Sequence, residues 1–387
     1  MSSEITPRPT PSSSSGQKPR VAVVFGGRSG EHGISVLTAG AVLNAIDREK
    51  YEVLPIGITA DGRWALAADA PERMAITSGE LPTVEQLTES DTGGVMLPLD
   101  LTSREVLYRE PGAVPKALGE VDVVFPVLHG PYGEDGTIQG LLELSGVPYV
   151  GAGVLASAVS MDKEYMKRVF ESFGLPVGPY TVIRPQEWRN DPAAARKKIV
   201  DFAGEHGWPV FVKPARCGSS LGITRLTGTA GLDEAVAEAQ RYDPKIMVEA
   251  LLSGREIECG VLEFEDGPRA SVPAEIPPAA SHEFYDFEAK YIDSAAGVVP
   301  APLTPEQTAR VQELAVRAFE AVSCEGLIRA DFFLLDNGEF VINEVNTLPG
   351  FTPISMYPRM WQASGVSYPE LVDRLLQAAL RRPTGLR

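Results

Sequence analysis

An Asn-Gly pair between two apolar runs near the C-terminal end constrains the fold of this chain more than any other feature. Such a pair is the strongest short-range signal for a β-hairpin and favours a two-residue type I′ turn. Because side chains alternate along a strand, counting outward from Asn337 and Gly338 places four polar side chains on one face of a hairpin over residues 327–346. The opposed pairs are Asp331 with Glu344 and Arg329 with Asn346.

The facing carboxylates of this hairpin indicate a metal site. Opposed Cβ atoms lie about 4.5–5.5 Å apart, and two carboxylates that close repel each other unless a cation lies between them. Carboxylate and amide oxygens without His or Cys suit Mg²⁺, which takes waters and substrate phosphates as its remaining ligands. The alternative is a strand face in water, but Phe332, Phe333, Leu334 and Ile342 make both faces largely apolar. We therefore predict a magnesium site here.

The N-terminal part predicts a parallel α/β unit. The apolar run Val21–Phe25 ends in two glycines, a helical pattern follows over residues 35–46, and a second apolar run covers residues 51–59. This order of strand, glycine, helix and strand is typical of a parallel sheet. From about residue 152 the pattern changes. The predicted divisions are a disordered tail over 1–19, an N-terminal α/β domain over 20–151, a central domain over 152–252, and a C-terminal domain over 253–387 with a flexible loop at 279–300.

The net charge of −17, with 35 Lys and Arg residues against 52 Asp and Glu residues, argues against nucleic acid or an anionic membrane as a partner. Any phosphate site must then be a local group of basic residues. The uncharged stretch 144–161 contains glycines and a proline, which fit a loop and helix rather than a membrane span. There is no apolar signal core, and 3 scattered cysteines do not make a disulfide framework or zinc site. We expect a cytoplasmic protein.

Two glycine-bearing loops could bind a phosphate or a substrate. Lys213 ends a predicted buried strand, and Gly218 and Gly222 follow in a loop whose N–H groups and hydroxyls could surround phosphate oxygens. It is not a Walker A loop, and a surface hairpin loop is an equally good interpretation. The second loop, residues 129–137, follows a strand and opens a helix, so its polar residues could simply cap that helix.

Seven motifs follow one another along the chain: GGRSGEH at 26–32, HGPYGEDGT at 129–137, SAVSMDK at 157–163, VKPARCGSSLG at 212–222, FYDFEAKY at 284–291, RADFF at 329–333 and NEVNTLPGFT at 343–352. In this order they resemble the D-alanine–D-alanine ligases of the ATP-grasp superfamily. The resemblance covers Val21 to about Leu380. It implies an α/β fold, with a parallel, Rossmann-like N-terminal domain followed by a two-part ATP-grasp fold.

The resemblance also implies a nucleotide site between two antiparallel sheets. Lysines would contact the phosphates, one acidic residue and a nearby backbone group would contact adenine, and a second acidic residue would contact the ribose. The implied ATP-binding residues are Lys163, Lys213, Ser220, Glu249, Leu252, Glu256 and Lys290. The implied ligands of two Mg²⁺ or Mn²⁺ ions are Asp331, Glu344 and Asn346.

The implied reaction joins two D-alanine molecules through a D-alanyl phosphate, for peptidoglycan precursors. Glu31 would hold the ammonium of the first D-alanine, with His129 nearby, and Arg329 with the Gly350 N–H would form an oxyanion hole. The other implied contacts are Ser355 and Met356 to the second D-alanine, and Ser219 and Tyr291, which would join Glu31 in closing the flexible loop. The family's habit also implies a homodimer.

Two alternatives share much of this pattern. A ligase that makes D-alanyl-D-lactate or D-alanyl-D-serine has the same fold and is distinguished mainly by Tyr291 and the acceptor pocket; tyrosine favours an amine acceptor. A non-catalytic ATP-binding protein would be expected to lack metal ligands or the oxyanion arginine, and this sequence retains both.

Overall fold

The computed structural model describes residues 18–77, 79–88, 93–98, 103–277 and 297–382. Lys290 and Tyr291, nearly all of the predicted tail and most of the predicted loop at 279–300 lie outside the described residues. The described helices are α1 (His32–Ala45), α2 (Thr137–Ser145), α3 (Val154–Met161), α4 (Lys163–Ser172), α5 (Pro185–Asn190), α6 (Pro192–His206), α7 (Leu232–Gln240), α8 (Pro305–Ala321), α9 (Met356–Ala363) and α10 (Tyr368–Arg381). The strands are β1 (Arg20–Gly26), β2 (Glu52–Ile58), β3 (Trp64–Leu66), β4 (Gly94–Met96), β5 (Glu105–Arg109), β6 (Lys116–Glu120), β7 (Val123–Val127), β8 (Tyr180–Ile183), β9 (Val210–Pro214), β10 (Thr224–Leu226), β11 (Ile246–Ala250), β12 (Gly254–Phe264), β13 (Gly267–Ala270), β14 (Ala274–Ile276), β15 (Leu327–Leu335) and β16 (Phe340–Asn346).

The N-terminal sheet has the order β3-β2-β1-β7. Strand β1 is parallel to both β2 and β7, and β3 is antiparallel on the edge. Strand β1 is apolar throughout its centre because α1 covers one of its faces and residues of β7 and α2 complete the packing. The predicted strand–helix–strand unit is confirmed. A small antiparallel sheet, β4-β5-β6, follows β3 in the chain.

Two antiparallel sheets make up the rest of the chain. The central sheet has the order β10-β9-β11-β8 and packs against α6 and α7 in a core of its own. The C-terminal sheet has the order β13-β12-β15-β16, with β14 paired to β12, and packs against α8. The predicted fold class, a parallel α/β region followed by antiparallel sheets, is therefore confirmed. In the part that the structure describes, no helix combines the length and the apolar character needed to cross a membrane.

The predicted pairing of the C-terminal hairpin is confirmed, but the predicted turn is wrong. Asp331 lies opposite Glu344, and Arg329 lies opposite Asn346. The connection has three residues instead of two, because Leu335 pairs with Glu339 through the bond from the Leu335 N–H to the Glu339 carbonyl. Of the three, only the glycine has a positive φ, +85°, whereas a type I′ turn needs a positive φ at both central residues.

A β-bulge at Asn343 compensates for the longer turn. The register shifts between Asp331 and Phe332, so Phe332 faces Ile342 and the extra residue lies on β16. A bulge reverses the alternation of side chains. Phe340, Ile342 and Val345 therefore all enter the core beneath α8, and the even-numbered Glu344 and Asn346 point to the other face. Strict alternation would have placed Ile342 and Glu344 on the same face.

The N-terminal sheet and the end of the chain share one core. Phe25 of β1 packs in the same apolar cluster as Phe351 and Leu375. At its rim the Tyr51 hydroxyl donates to Asp373 Oδ1 over 2.8 Å. The N-terminal sheet, the start of the C-terminal hairpin and the last helices are thereby held together by one shared core.

Candidate active site

The predicted metal-binding face of the hairpin is built around Asp331. Arg329 donates two parallel hydrogen bonds to its carboxylate, Nε to Oδ1 and Nη2 to Oδ2, each 2.7 Å long. Asn346 Nδ2 donates to Oδ2 over 3.0 Å. Arg329 also lies 3.3 Å from Glu258 Oε1 on β12. Burial opposes the charged guanidinium, but the charges of Asp331 and Glu258 outweigh burial and hold the pKa of Arg329 well above its usual value.

The two facing carboxylates do not depend on a metal for neutralisation, which corrects the repulsion argument made from the sequence. Glu344 Oε2 lies 3.0 Å from Lys163 Nζ, at the first residue of α4, while Asp331 is paired with Arg329. Burial favours the neutral amine of Lys163, but the charge of Glu344 overcomes this and raises the lysine pKa. Each carboxylate thus has its own cation.

The donor set at this face fits a hard cation that keeps other ligands. No group of three or more His, Cys, Asp or Glu side chains suited to a metal occurs within the described ranges. The predicted set instead combines two carboxylates, Asp331 and Glu344, with the amide of Asn346. Mg²⁺ is normally bound by one or two carboxylates, together with water and substrate phosphates. The residues are compatible with it, and the assignment stays a prediction.

Three lysines form the local basic group that the acidic chain requires for phosphate. Lys213 is the penultimate residue of β9 and forms an ion pair with Glu249 of β11. Lys167 Nζ lies 3.1 Å from Glu249 Oε1. Lys163, four residues before Lys167 on α4, is close enough to lower the pKa of Lys213, which burial already lowers. The predicted lysines, Lys163 and Lys213, therefore lie in one region. Lys167 was missed, although its spacing from Lys163 places both on one helix face.

Glu249, the predicted adenine-binding residue, is charged because of this lysine group. Burial alone would raise its pKa, but Lys167 and Lys213 lower the pKa to about 2. A carboxylate whose pKa falls on folding contributes stability above its unfolded pKa and loses it as the pH falls through the folded value. We expect the free energy of unfolding to decrease more steeply between pH 4.5 and about 2 in the parent than in Glu249→Gln. Chemical denaturation at a series of pH values measures this, and identical slopes would contradict it.

The loop after β9 adopts a backbone that is unusual for its residues. Ser219 and Ser220 both have left-handed conformations, with φ of +52° and +59°. Such strain in residues other than glycine costs roughly 1–3 kcal/mol each and is concentrated at functional sites. Lys163 Nζ donates to the Cys217 carbonyl over 3.1 Å, which connects the start of α4 to this loop. Burial raises the pKa of the Cys217 thiol, so this cysteine is in its neutral form.

The predicted contact between Glu31 and the loop after β9 is present. Ser219 Oγ donates to Glu31 Oε1 over 2.6 Å, joining residues 188 positions apart. Glu31 is buried, at 8% exposure, directly before α1. His129 is also buried; its Nδ1 lies 3.1 Å from the Leu348 carbonyl, and its Nε2 lies 3.3 Å from Thr38 Oγ1. Burial lowers the pKa of His129, so its neutral form is favoured.

The other predicted residues lie in two regions, one at and just before β12 and one at and just before α9. Leu252 is in the short connection between β11 and β12, where its side chain covers Gly178, and Glu256 is on β12 opposite Phe333. Ser355 precedes α9, and its Oγ accepts the Thr352 N–H over 3.2 Å. Met356 is the first residue of α9, and Gly350 is in the loop between β16 and this helix. Lys290 and Tyr291 lie outside the described residues.

Glu134 lies near Glu31, and the sequence did not single it out. Its Oε2 accepts the Gly130 N–H over 2.8 Å, and its Oε1 accepts the Leu348 N–H over 2.9 Å. Burial and the charge of Glu31 raise its pKa to about 8. The signal for it was its place in the 129–137 motif, where only Asp135 and Thr137 were considered as helix caps. Asp135 does have such a local role, because its carboxylate accepts the Tyr132 and Thr137 N–H groups.

Known proteins match this chain over nearly its whole length. The family model described as D-ala D-ala ligase N-terminus matches residues 20–152, and the one described as D-ala D-ala ligase C-terminus matches residues 169–377. The D-alanine–D-alanine ligase of Streptomyces avermitilis is 80% identical over 371 residues, covering 96% of each chain. That of Mycobacterium ulcerans is 52% identical over 382 residues, covering 97% of this chain and 99% of the relative.

Solved structures of two such enzymes have the same architecture. The D-alanine–D-alanine ligase of Coxiella burnetii has a TM-score of 0.78 at 35% identity, covering 94% of each chain. A D-Ala:D-Ser ligase from Enterococcus faecalis has a TM-score of 0.79 at 32% identity, covering 94% of this chain and 100% of that chain. With both family models matched in order and relatives this similar over the full fold, the chain belongs to the D-alanine–D-alanine ligase family.

Proposed function

We propose that this protein uses ATP to join two D-alanine molecules into D-alanyl-D-alanine, a building block of peptidoglycan. The observation that carries the proposal is the Ser219–Glu31 hydrogen bond of 2.6 Å. It connects the loop expected to hold phosphate with the carboxylate expected to hold the ammonium of the first D-alanine. A phosphate donor and an amino acid carboxylate could therefore meet beside this hydrogen bond.

The first step requires the carboxylate of one D-alanine to attack the γ-phosphate of ATP, which gives D-alanyl phosphate and ADP. Both reactants are anionic, so the chain must neutralise charge and align the atoms. Lys163 and Lys213 supply positive charge for the phosphates, and Glu31 fixes the amino acid through its ammonium. Asp331, Glu344 and Asn346 would hold the two Mg²⁺ ions, which when bound would neutralise further phosphate charge.

In the second step the amine of the other D-alanine attacks the acyl carbon, and the bond to phosphate breaks. Negative charge develops on the carbonyl oxygen, so donors fixed in advance lower the barrier. Arg329 is fixed by its two bonds to Asp331, and the Gly350 N–H is the second proposed donor. Ser355 and Met356, at the start of α9, would hold the carboxylate of the second D-alanine.

Several features remain part of the proposal. Lys290 and Tyr291 would close over the site and exclude water, which would otherwise hydrolyse the acyl phosphate. Ser220, Leu252 and Glu256 would complete the ATP site beside Glu249. A homodimer, a cytoplasmic location and the predicted domain limits are expected from the sequence and the family.

D-Alanine is proposed as the acceptor on the strength of similarity. The relative at 80% identity is named a D-alanine–D-alanine ligase, whereas the D-Ala:D-Ser ligase of similar fold is only 32% identical. Shared architecture alone does not distinguish the two acceptors, so the proposal depends on this difference in identity and must be tested with each acceptor.

Product analysis tests the proposal directly. Incubation with ATP, Mg²⁺ and D-alanine should release ADP and phosphate and form the dipeptide in equal amounts, and L-alanine should give neither. The reason is that Glu31, Arg329 and the Gly350 N–H would contact three substituents of the first substrate. Parallel reactions with D-alanine plus D-lactate or D-serine identify the preferred acceptor. Equal turnover of the two alanine enantiomers, or a mixed product in excess of the dipeptide, would refute the assignment.

A further inference from the structure

Two side chains from the 129–137 loop hold opposite sides of one residue in the C-terminal part. The Leu348 N–H donates to Glu134 Oε1 over 2.9 Å, and the Leu348 carbonyl lies 3.1 Å from His129 Nδ1. A carbonyl oxygen can only accept, so His129 carries its proton on Nδ1. Both bonds span more than 200 residues of sequence, with separations of 214 and 219. Leu348 is therefore fixed relative to the N-terminal sheet from both sides.

The fixed residue lies two positions before Gly350. Between them is Pro349, and Thr347 and Phe351 on either side are buried. Proline restricts its own φ and the conformation of the residue before it. A displacement of the Leu348 backbone therefore also displaces the backbone of Gly350. The orientation of the Gly350 N–H thus depends on how Leu348 is held.

The same carboxylate shapes the loop near the first substrate. Glu134 Oε2 accepts the Gly130 N–H over 2.8 Å, and Gly130 has a positive φ of +73°. A Cβ atom at Gly130 would lie only 2.6 Å from Glu31 Oε2. The Glu134 side chain therefore fixes the positions of two loops, the one that approaches Glu31 and the one that carries Gly350.

We propose that Glu134 is a positioning residue that aligns the Gly350 N–H with the first substrate held at Glu31. The proposal rests on the proposed ligase function, and it concerns the second step above all. If the N–H is displaced, attack by the amine slows. The acyl phosphate then persists, and water can attack its phosphorus atom instead. That attack places no negative charge on the carbonyl oxygen, so it does not need the Gly350 N–H. It breaks the bond between phosphorus and the acyl oxygen and releases D-alanine and phosphate. ATP is consumed without forming dipeptide.

The test measures ADP and dipeptide in the same reaction for the parent, Glu134→Gln and Asp135→Asn. Glutamine keeps the shape of Glu134 but offers one accepting oxygen for two N–H donors. Loss of an oxyanion donor costs about 100- to 1000-fold, so a displaced donor should reduce dipeptide formation roughly 10-fold or more. ADP formation should fall less, so the ratio of ADP to dipeptide should rise above the parent's, with the KM for ATP unchanged. Asp135→Asn also changes a carboxylate that accepts two N–H groups, but only local ones, and should keep the parent's ratio.

A purely structural role would lower both products equally, so an unchanged ratio in folded Glu134→Gln overturns the inference. Unfolding midpoints establish that the variants are folded. If Glu134→Gln does not fold, Glu134→Asp provides the same comparison, because the shorter aspartate side chain cannot reach both N–H groups. An unchanged ratio of ADP to dipeptide in Glu134→Asp would also overturn the inference. Absence of dipeptide from the parent itself would instead refute the proposed function.

Discussion

Glu344→Gln should reduce dipeptide formation by about 100-fold or more, because the proposed metal site would lose one of its two charged ligands. The same change should lower stability in the absence of metal. Glu344 is the ion-pair partner of Lys163, at 3.0 Å, and its removal leaves a largely buried ammonium without that partner. We expect the free energy of unfolding to fall by about 1–3 kcal/mol, less than for a fully buried pair. Dipeptide assays and denaturant unfolding in EDTA measure the two effects.

Glu339→Gln is a matched control for this experiment. Glu339 lies beside the turn of the same hairpin and is exposed, and its carboxylate accepts a hydrogen bond from the nearby Asn337 side chain. Its replacement should change stability by no more than about 0.5 kcal/mol. If Glu344→Gln were as stable as the parent without metal, the Lys163 pair would contribute nothing. If it were as active, Glu344 would not belong to the site.

Arg329→Lys should abolish most activity although it conserves charge. A lysine ammonium cannot make the two parallel bonds that the guanidinium makes to Asp331, each 2.7 Å long. The lysine side chain is also shorter than that of arginine, and its ammonium would not be a fixed donor to the acyl oxygen. We expect dipeptide formation to fall about 100-fold or more, with the cooperative unfolding transition retained because Asp331 and Glu258 still have a cation between them.

Arg255→Lys tests whether that loss is specific to the site. Arg255 makes a similar two-bond contact with Glu275, both bonds being 2.8 Å, on the neighbouring strand β12. We expect Arg255→Lys to change the free energy of unfolding only slightly and to keep activity near that of the parent. Comparable activity losses in the two variants would mean that Arg329 acts through general packing of the sheet and is not a donor to the substrate.

Local sequence patterns were sufficient to predict the hairpin pairing but not the way it is achieved. The pattern of apolar and polar residues fixes which side chains must be buried, and the Asn-Gly pair places the reversal of the chain. The turn length and the bulge at Asn343 cancel in the register, so a count from the turn reached the right pairs through the wrong geometry. The bulge could have been inferred, because Ile342 and Glu344 cannot share a face.

The interactions between distant segments could not be read from local patterns. Glu134 could not be singled out from the sequence, because its partner Leu348 lies 214 residues away. The pairing of Lys163 with Glu344 and of Lys213 with Glu249 likewise depends on how the sheets come together. The family resemblance gave the residues of the site but not these pairings between them.

The pairing at the closing end of the hairpin separates its turn from the functional face. Removing one residue from the turn would leave Leu335 opposite Glu339, so Asp331 would still lie opposite Glu344 and the two faces of β16 would be kept. Removing a residue of β16 between the turn and the bulge would instead move Ile342 from the core to the opposite face. Length variation is therefore tolerated at the exposed tip and not within β16, which makes the tip a suitable place to insert a tag or graft a loop.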